Sequence, residues 1–357
     1  MSFEAAAGPV PIRPEIAALA AYRPGGAAPG PDAVKLSSNE NPFPPLPSVA
    51  EAIAESAAHL PLYPDNAAAQ LTTEVANWLD VSAEHLSFGA GSVSVLMHLL
   101  NAISGPGDEI VFPWRSFEAY PLAVNVPGAT PVQIPLLTDG RHDLEAMCAA
   151  VTERTRAVLV CTPNNPTGPC VTHEELTDLL AQLPERTMLV VDEAYIEFAT
   201  DPEAARPLEL LDDPRIAVLR TFSKAWGLAG FRIGYGITHP TLAAAIRTVT
   251  PPFSVSVPAQ AAALATLAAR EKLLAQVEKT IAERDRMVGR MRGLGFDVPD
   301  SQGNFVWLPA ADQTDRWAAH FADHGLIVRA YAPDGIRITV STPEINDRVL
   351  DAAAGLR

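Results

Sequence analysis

Residues 216–235 read Ile216-Ala217-Val218-Leu219-Arg220-Thr221-Phe222-Ser223-Lys224-Ala225-Trp226-Gly227-Leu228-Ala229-Gly230-Phe231-Arg232-Ile233-Gly234-Tyr235. An apolar run of strand character, Ile216–Leu219, gives way to a short polar turn and then a lysine. Only four lysines occur in the 357 residues, at 35, 224, 272 and 279, so the long middle of the chain holds a single primary amine. Lysine is costly to desolvate, and unlike arginine it can give up its proton when desolvated. A lysine kept where a core strand ends points to a nucleophilic amine of the kind that forms Schiff bases with carbonyls.

Working outward, other short apolar runs also end in polar residues. Ala157–Cys161 leads into Thr162-Pro163-Asn164-Asn165, and Met188–Val191 leads into Asp192-Glu193-Ala194-Tyr195. Ligands of open α/β sheets bind beyond the carboxyl ends of parallel strands, so three such ends can converge on one pocket. Further strand patterns lie at Glu109–Phe112 and Ile233–Ile237, and helical patterns at Ser48–Ala58, Ala67–Leu79 and Ser92–Ile103. Alternation of the two predicts a mainly parallel sheet with helices on both faces.

Residues 1–47 are rich in Pro and Gly and read as an extended arm with one short helix near 14–21. A large unit is expected over 48–252, with Pro251-Pro252 as a hinge. A smaller α+β unit follows over 253–357, made of a long helical stretch from Val257 to about Leu294 and strands at 304–308, 326–330 and 335–340.

Composition narrows the function classes. Hydrophobic residues at 48% and charged residues at 19% are those of a globular chain able to bury a large core. A net charge of −16 argues against nucleic acid as a partner. No apolar run approaches membrane-spanning length. The first residues lack a positive start followed by an apolar core, so no signal peptide is read, and a cytoplasmic protein is expected. Cys148, Cys161 and Cys170 form no CxxC pair, the histidines show no ligand spacing, and no metal site is expected.

Several residues carry two readings each. Asp192 is either a helix cap or a partner for a cationic ring nitrogen. Asn164-Asn165-Pro166-Thr167-Gly168 is either a surface turn or a turn that offers an amide to a ligand. Gly89-Ala90-Gly91-Ser92 is either a plain helix cap or a phosphate site at a helix start. Arg232 is either a surface cation or a second phosphate contact; Arg329 and Arg337 are either solvated strand-edge arginines or carboxylate clamps. Phe117 and Tyr195 are either core aromatics or cofactor contacts.

Taken together, these pieces resemble the fold-type I pyridoxal-phosphate aminotransferases. The ordered set is NENPF at 39–43, Tyr63-Pro64, GAGS at 89–92, NNPTG at 164–168, DEAYIEF at 192–198, TFSKAWGLAGFRIGY at 221–235, NFVWL at 304–308 and IRITV at 336–340. The resemblance runs from end to end to the histidinol-phosphate aminotransferase branch. GSVSV at 91–95 with WRSFEAYP at 114–121 is similar to the actinobacterial aromatic amino acid aminotransferases of that branch. Many histidinol-phosphate enzymes carry an acidic pair where this chain has Val93-Ser94.

The resemblance implies roles. Lys224 would hold the cofactor aldehyde and shuttle a proton. Asp192 would pair with the pyridine nitrogen and keep it protonated. Asn165 and Tyr195 would bond the ring's phenolic oxygen, and Phe117 would stack on its face. Gly91, Ser92, Val93, Ser223, Arg232 and, from a neighbouring subunit, Tyr63 would hold the phosphate. Arg337 would take the substrate carboxylate, with Tyr22 and Arg329 nearby. Burial and cationic Arg232 are expected to lower the Lys224 pKa. The implied activity is transfer of an amino group from an aromatic amino acid to 2-oxoglutarate in a homodimer. Histidinol-phosphate transamination is the alternative, with a decarboxylase of a phosphorylated amino acid, a non-catalytic pyridoxal-phosphate regulator and a nicotinamide enzyme further off.

Overall fold

A computed structural model describes residues 12–17, 19, 30 and 32–356. Its central sheet has seven strands in the order β2-β8-β7-β6-β5-β3-β4. These are β2 (Leu86–Gly89), β3 (Glu109–Trp114), β4 (Thr130–Pro135), β5 (Thr155–Cys161), β6 (Met188–Asp192), β7 (Ile216–Thr221) and β8 (Gly234–Thr238). Strands β3 to β7 pair in parallel, while β8 runs antiparallel to both β7 and β2. The mainly parallel sheet expected from the sequence is therefore present.

The apolar runs are continuous because both faces of the sheet are covered. Along β5, Val158 and Val160 enter one hydrophobic cluster, and Ala157, Leu159 and Cys161 enter the cluster on the opposite face. Helices Ser92–Ile103 and Pro240–Val249 pack on the second face; Ala69–Leu79 and His173–Gln182 pack on the first. Two strands carry no such signature in the sequence. β4, Thr130-Pro-Val-Gln-Ile-Pro135, is an edge strand with two prolines and half-exposed side chains, as an edge permits. β2 is a four-residue strand at the other edge.

A separate three-stranded antiparallel sheet has the order β11-β12-β9, from β9 (Phe305–Pro309), β11 (Arg329–Tyr331) and β12 (Gly335–Thr339). β1 (Val34–Lys35) pairs in parallel with β10 (Leu326–Ile327), which ties the N-terminal segment to this smaller unit. Its core gathers Leu36, Met287, Met291, Phe321, Ile336 and Ile338.

The single helical stretch expected from Val257 to Leu294 is two helices, Val257–Ala268 and Arg270–Gly293, broken at Ala269 (φ −104°, ψ 15°). An Ala-rich run keeps its periodicity through such a break, so the sequence does not mark it. Ala259, Ala262, Leu273, Val277 and Ile281 pack in the large cluster, whereas Met287 and Met291 pack in the small one. The long helix thus changes core partway along its length. The short N-terminal helix is Pro14–Ala17; residues 18, 20 and 21 lie outside the described set.

Candidate active site

One cleft lies at the carboxyl ends of the parallel strands, closed on the other side by β11 and β12. Its lining includes Ser92, Val93, Phe117, Asn165, Asp192, Tyr195, Ser223, Lys224, Arg232, Arg329 and Arg337, which the topology brings together from across 246 residues (92 to 337). β5 delivers Asn165, β6 ends in Asp192, and β7 leads into Ser223 and Lys224. Tyr22 lies outside the described residues. Tyr63 does not reach the cleft; it is 81% exposed and stacks on Phe253 with ring centroids 4.5 Å apart.

Lys224 Nζ donates to the Ser38 carbonyl at 3.0 Å and lies 5.7 Å from the centre of the Tyr195 ring. Desolvation pulls its pKa down to about 7, and the Arg337 charge acts in the same direction, ahead of Arg232. Arg232 was the cation expected to lower this pKa; Arg337 on β12 contributes more, and nothing in the local sequence foreshadows it.

Asp192 is buried at the carboxyl end of β6. Its Oδ2 accepts from the Tyr120 hydroxyl at 2.9 Å, and its Oδ1 accepts from the Ala194 amide at 3.2 Å. Among the described residues no cation lies within salt-bridge distance of it, and burial pushes its pKa up to about 6. A carboxylate in that position is stabilised by a cation brought in by a ligand. Next to it in sequence, buried Glu193 pairs with Arg220 of β7 at 2.8 Å, which pins the ends of β6 and β7 to each other.

The turn after β5 is internal, not a surface loop. Asn164 and Asn165 are buried, and the peptide bonds before Pro163 and Pro166 are cis. Asn164 is fixed by Ser116, Thr167 and the Arg115 carbonyl. Asn165 Oδ1 accepts from Arg337 Nη1. Tyr195 takes a hydrogen bond from Asn39 Nδ2 at 2.9 Å. Phe117 packs edge-on against Tyr120, 5.6 Å between centroids.

At one end of the cleft the helix Ser92–Ile103 begins at Gly91, whose φ of +84° lies in the left-handed region; no side chain caps its first turn. A Cβ at Gly91 would meet Arg232 Nη2 at 2.6 Å, and one at Gly234 would meet the Ser92 amide nitrogen at 2.3 Å. Both glycines therefore let the helix start, β8 and Arg232 close on each other. Arg232 also donates to Ser223 Oγ at 3.3 Å. Uncapped amides, a hydroxyl and a guanidinium at one helix start are groups that together can receive an anion.

At the other end Arg337 is buried. It donates to the Tyr331 hydroxyl at 2.8 Å and to the Ser37 carbonyl at 2.7 Å, while its buried Nε has no partner among the described residues. Arg329 donates from Nε and Nη2 to a single oxygen, Oε2, of Glu118, at 3.1 and 2.6 Å. Tyr120, Asn39, Tyr331 and Glu118 were not singled out from the sequence. Asn39 belongs to the NENPF motif and Tyr120 and Glu118 to WRSFEAYP, which was the available signal.

The model of the class I and II aminotransferases matches residues 31–352 of this chain. The chain belongs to that family. Among its relatives, the aromatic amino acid aminotransferase of Thermobifida fusca is 48% identical over 96% of this chain and 96% of its own length. That of Streptomyces avermitilis is 47% identical over 97% of each. Among solved structures, histidinol-phosphate aminotransferase from Sinorhizobium meliloti in complex with pyridoxal 5'-phosphate shares 29% identity, with a TM-score of 0.88 over 97% of both chains. The family is pyridoxal-phosphate dependent, and the residues present fit that cofactor: an amine of lowered basicity, a buried carboxylate with no salt-bridged cation among the described residues, and a helix start whose first amides no side chain caps. Among the described residues no helix is long and apolar enough to cross a membrane.

Proposed function

We propose that this aminotransferase moves the amino group of an aromatic amino acid such as phenylalanine to 2-oxoglutarate, giving an aromatic 2-oxo acid and glutamate. The observation that carries the reading is the buried Nε of Arg337, which has no partner among the described residues and can donate to a ligand oxygen in a cleft whose walls include Phe117, Tyr195 and Tyr331. The names of the relatives at 45–48% identity agree with it.

In this reading pyridoxal phosphate supplies a protonated ring that accepts electron density from the substrate Cα when bound. Asp192 would face the ring nitrogen, held in place by Tyr120 and the Ala194 amide. Asn165 and Tyr195 would meet the phenolic oxygen, and Phe117 the ring face. Ser223, Arg232 and the amides of Ser92 and Val93 would bind the phosphate. Lys224 Nζ, neutral over much of the physiological range, would hold the cofactor through its aldehyde and, once the substrate amine has displaced it, accept the substrate Cα proton. Arg337 would orient the substrate through its carboxylate, a group common to both half-reactions.

The working form is proposed to be a cytoplasmic homodimer. Leu60, Leu62, Tyr63 and Phe253 are exposed apolar side chains, a surface suited to a second copy that would receive Tyr63; a chain that sediments as a monomer overturns this. The unpaired thiols of Cys148, Cys161 and Cys170 fit a reducing compartment, which cell fractionation checks. The arm at 1–47, large unit at 48–252 and small unit at 253–357 remain the proposed division, with the helices of 257–293 connecting the two cores.

Turnover of phenylalanine and of histidinol phosphate by the purified enzyme, each with 2-oxoglutarate, tests the substrate. Phenylalanine is expected to give the higher kcat/KM. A preference for histidinol phosphate overturns the proposal.

A further inference from the structure

β11 and β12 pair so that Arg329 stands directly opposite Arg337. Residues directly opposite in an antiparallel pair share a face. Tyr331, two residues along β11, lies on that face as well, and the two guanidinium carbons sit 5.7 and 5.6 Å from its ring centre. Like charges placed in this way repel, and an uncompensated pair would form a doubly positive receptor. One carboxylate changes that charge. Glu118, carried in from the segment after β3, accepts from Arg329 Nε and Nη2 at 3.1 and 2.6 Å. Both side chains are largely withdrawn from water, at 12% exposure for Arg329 and 26% for Glu118, so the pair is weakly screened. Among other carboxylates, Glu40, which lines the cleft, is engaged by Lys35 at 2.8 Å, and Asp334 in the turn between β11 and β12 by Arg115.

The two arginines and Glu118 therefore sum to one positive charge. That suits a carboxylate monoanion on Arg337; a phosphate dianion calls for both arginines. We infer that Glu118 is a specificity-determining residue, which disfavours phosphate-bearing amine substrates by neutralising Arg329 and repelling a second negative charge. The inference rests on the proposed reading of Arg337 as the substrate anchor.

Glu118→Gln keeps the size of the side chain and an acceptor oxygen while removing the charge. The measurement is kcat/KM of the holoenzyme for histidinol phosphate and for phenylalanine, each with 2-oxoglutarate. In Glu118→Gln the ratio of the first to the second should rise by about tenfold or more, chiefly through a lower KM for the phosphate substrate. Adding Arg329→Gln should abolish the gain, since Glu118 acts through that arginine. A ratio that stays within about twofold of wild type in folded Glu118→Gln overturns the inference. So does a gain that survives in the double variant. Wild-type turnover of phenylalanine in the same series reports separately on the substrate reading, which fails if the wild type ignores phenylalanine whatever Glu118 does.

Discussion

Lys224 owes its lowered basicity to surroundings drawn from three parts of the chain. Desolvation comes from the cleft walls, the opposing cation is Arg337 on β12, and the acceptor for Nζ is the Ser38 carbonyl. With the pKa held down to about 7 from an ordinary value of 10.5, the unfolded chain binds a proton between those limits that the folded apoprotein does not. The contribution of Lys224 to stability is therefore present above the unfolded pKa and lost as the pH falls through about 7. Capture of pyridoxal phosphate by the apoprotein, followed by absorbance, should rise with pH and level off just above 7, because only the neutral amine attacks. A rate that keeps climbing toward the ordinary lysine value contradicts this.

At this scale the sequence was partly legible. Lys224 stood out as a lone lysine among arginines, and Asp192 as a carboxylate ending an apolar run. The contacts of the surrounding site were hidden because Asn39 meets Tyr195, Arg337 meets Asn165 and Tyr120 meets Asp192 across separations of 72 to 172 residues. Such pairs are set by tertiary register, which local pattern does not encode.

Among the elements, the critical junction is where the helix Ser92–Ile103 starts against β8. Gly234 leaves no room for a methyl group, since a Cβ there would lie 2.3 Å from the Ser92 nitrogen and 2.8 Å from the Gly91 carbonyl carbon. Gly234→Ala should push the helix start away from β8, lowering stability by about 1–3 kcal/mol and weakening pyridoxal-phosphate binding. Denaturant midpoints and cofactor titration check the two effects, and unchanged values for both would contradict the role given to this junction. Parallel strands β5, β6 and β7 were readable because each is an unbroken apolar run buried on both faces. Edge strand β4 was not, since its prolines and exposed positions resemble a loop. The break at Ala269 was likewise silent, because Leu267 and Ala268 before it and Arg270, Glu271 and Lys272 after it are all good helix formers.

Across the whole molecule, the cleft is assembled where the small unit meets the large one. Arg337–Asn165, Arg329–Glu118 and Arg115–Asp334 each join β11, β12 or the turn between them to the carboxyl-end loops of the central sheet. In the proposed reading, substrate charge is thereby read by one unit while the chemistry belongs to the other, so that neither unit alone would transaminate. The measurement that bears most directly on this arrangement is a half-reaction with the purified enzyme, phenylalanine and no 2-oxo acid acceptor. The visible band of the lysine-bound cofactor should disappear as about one phenylpyruvate is released per chain, and folded Lys224→Ala should show neither change. A wild-type band that phenylalanine leaves untouched, or phenylpyruvate released by Lys224→Ala at the wild-type rate, would contradict an aromatic aminotransferase centred on Lys224.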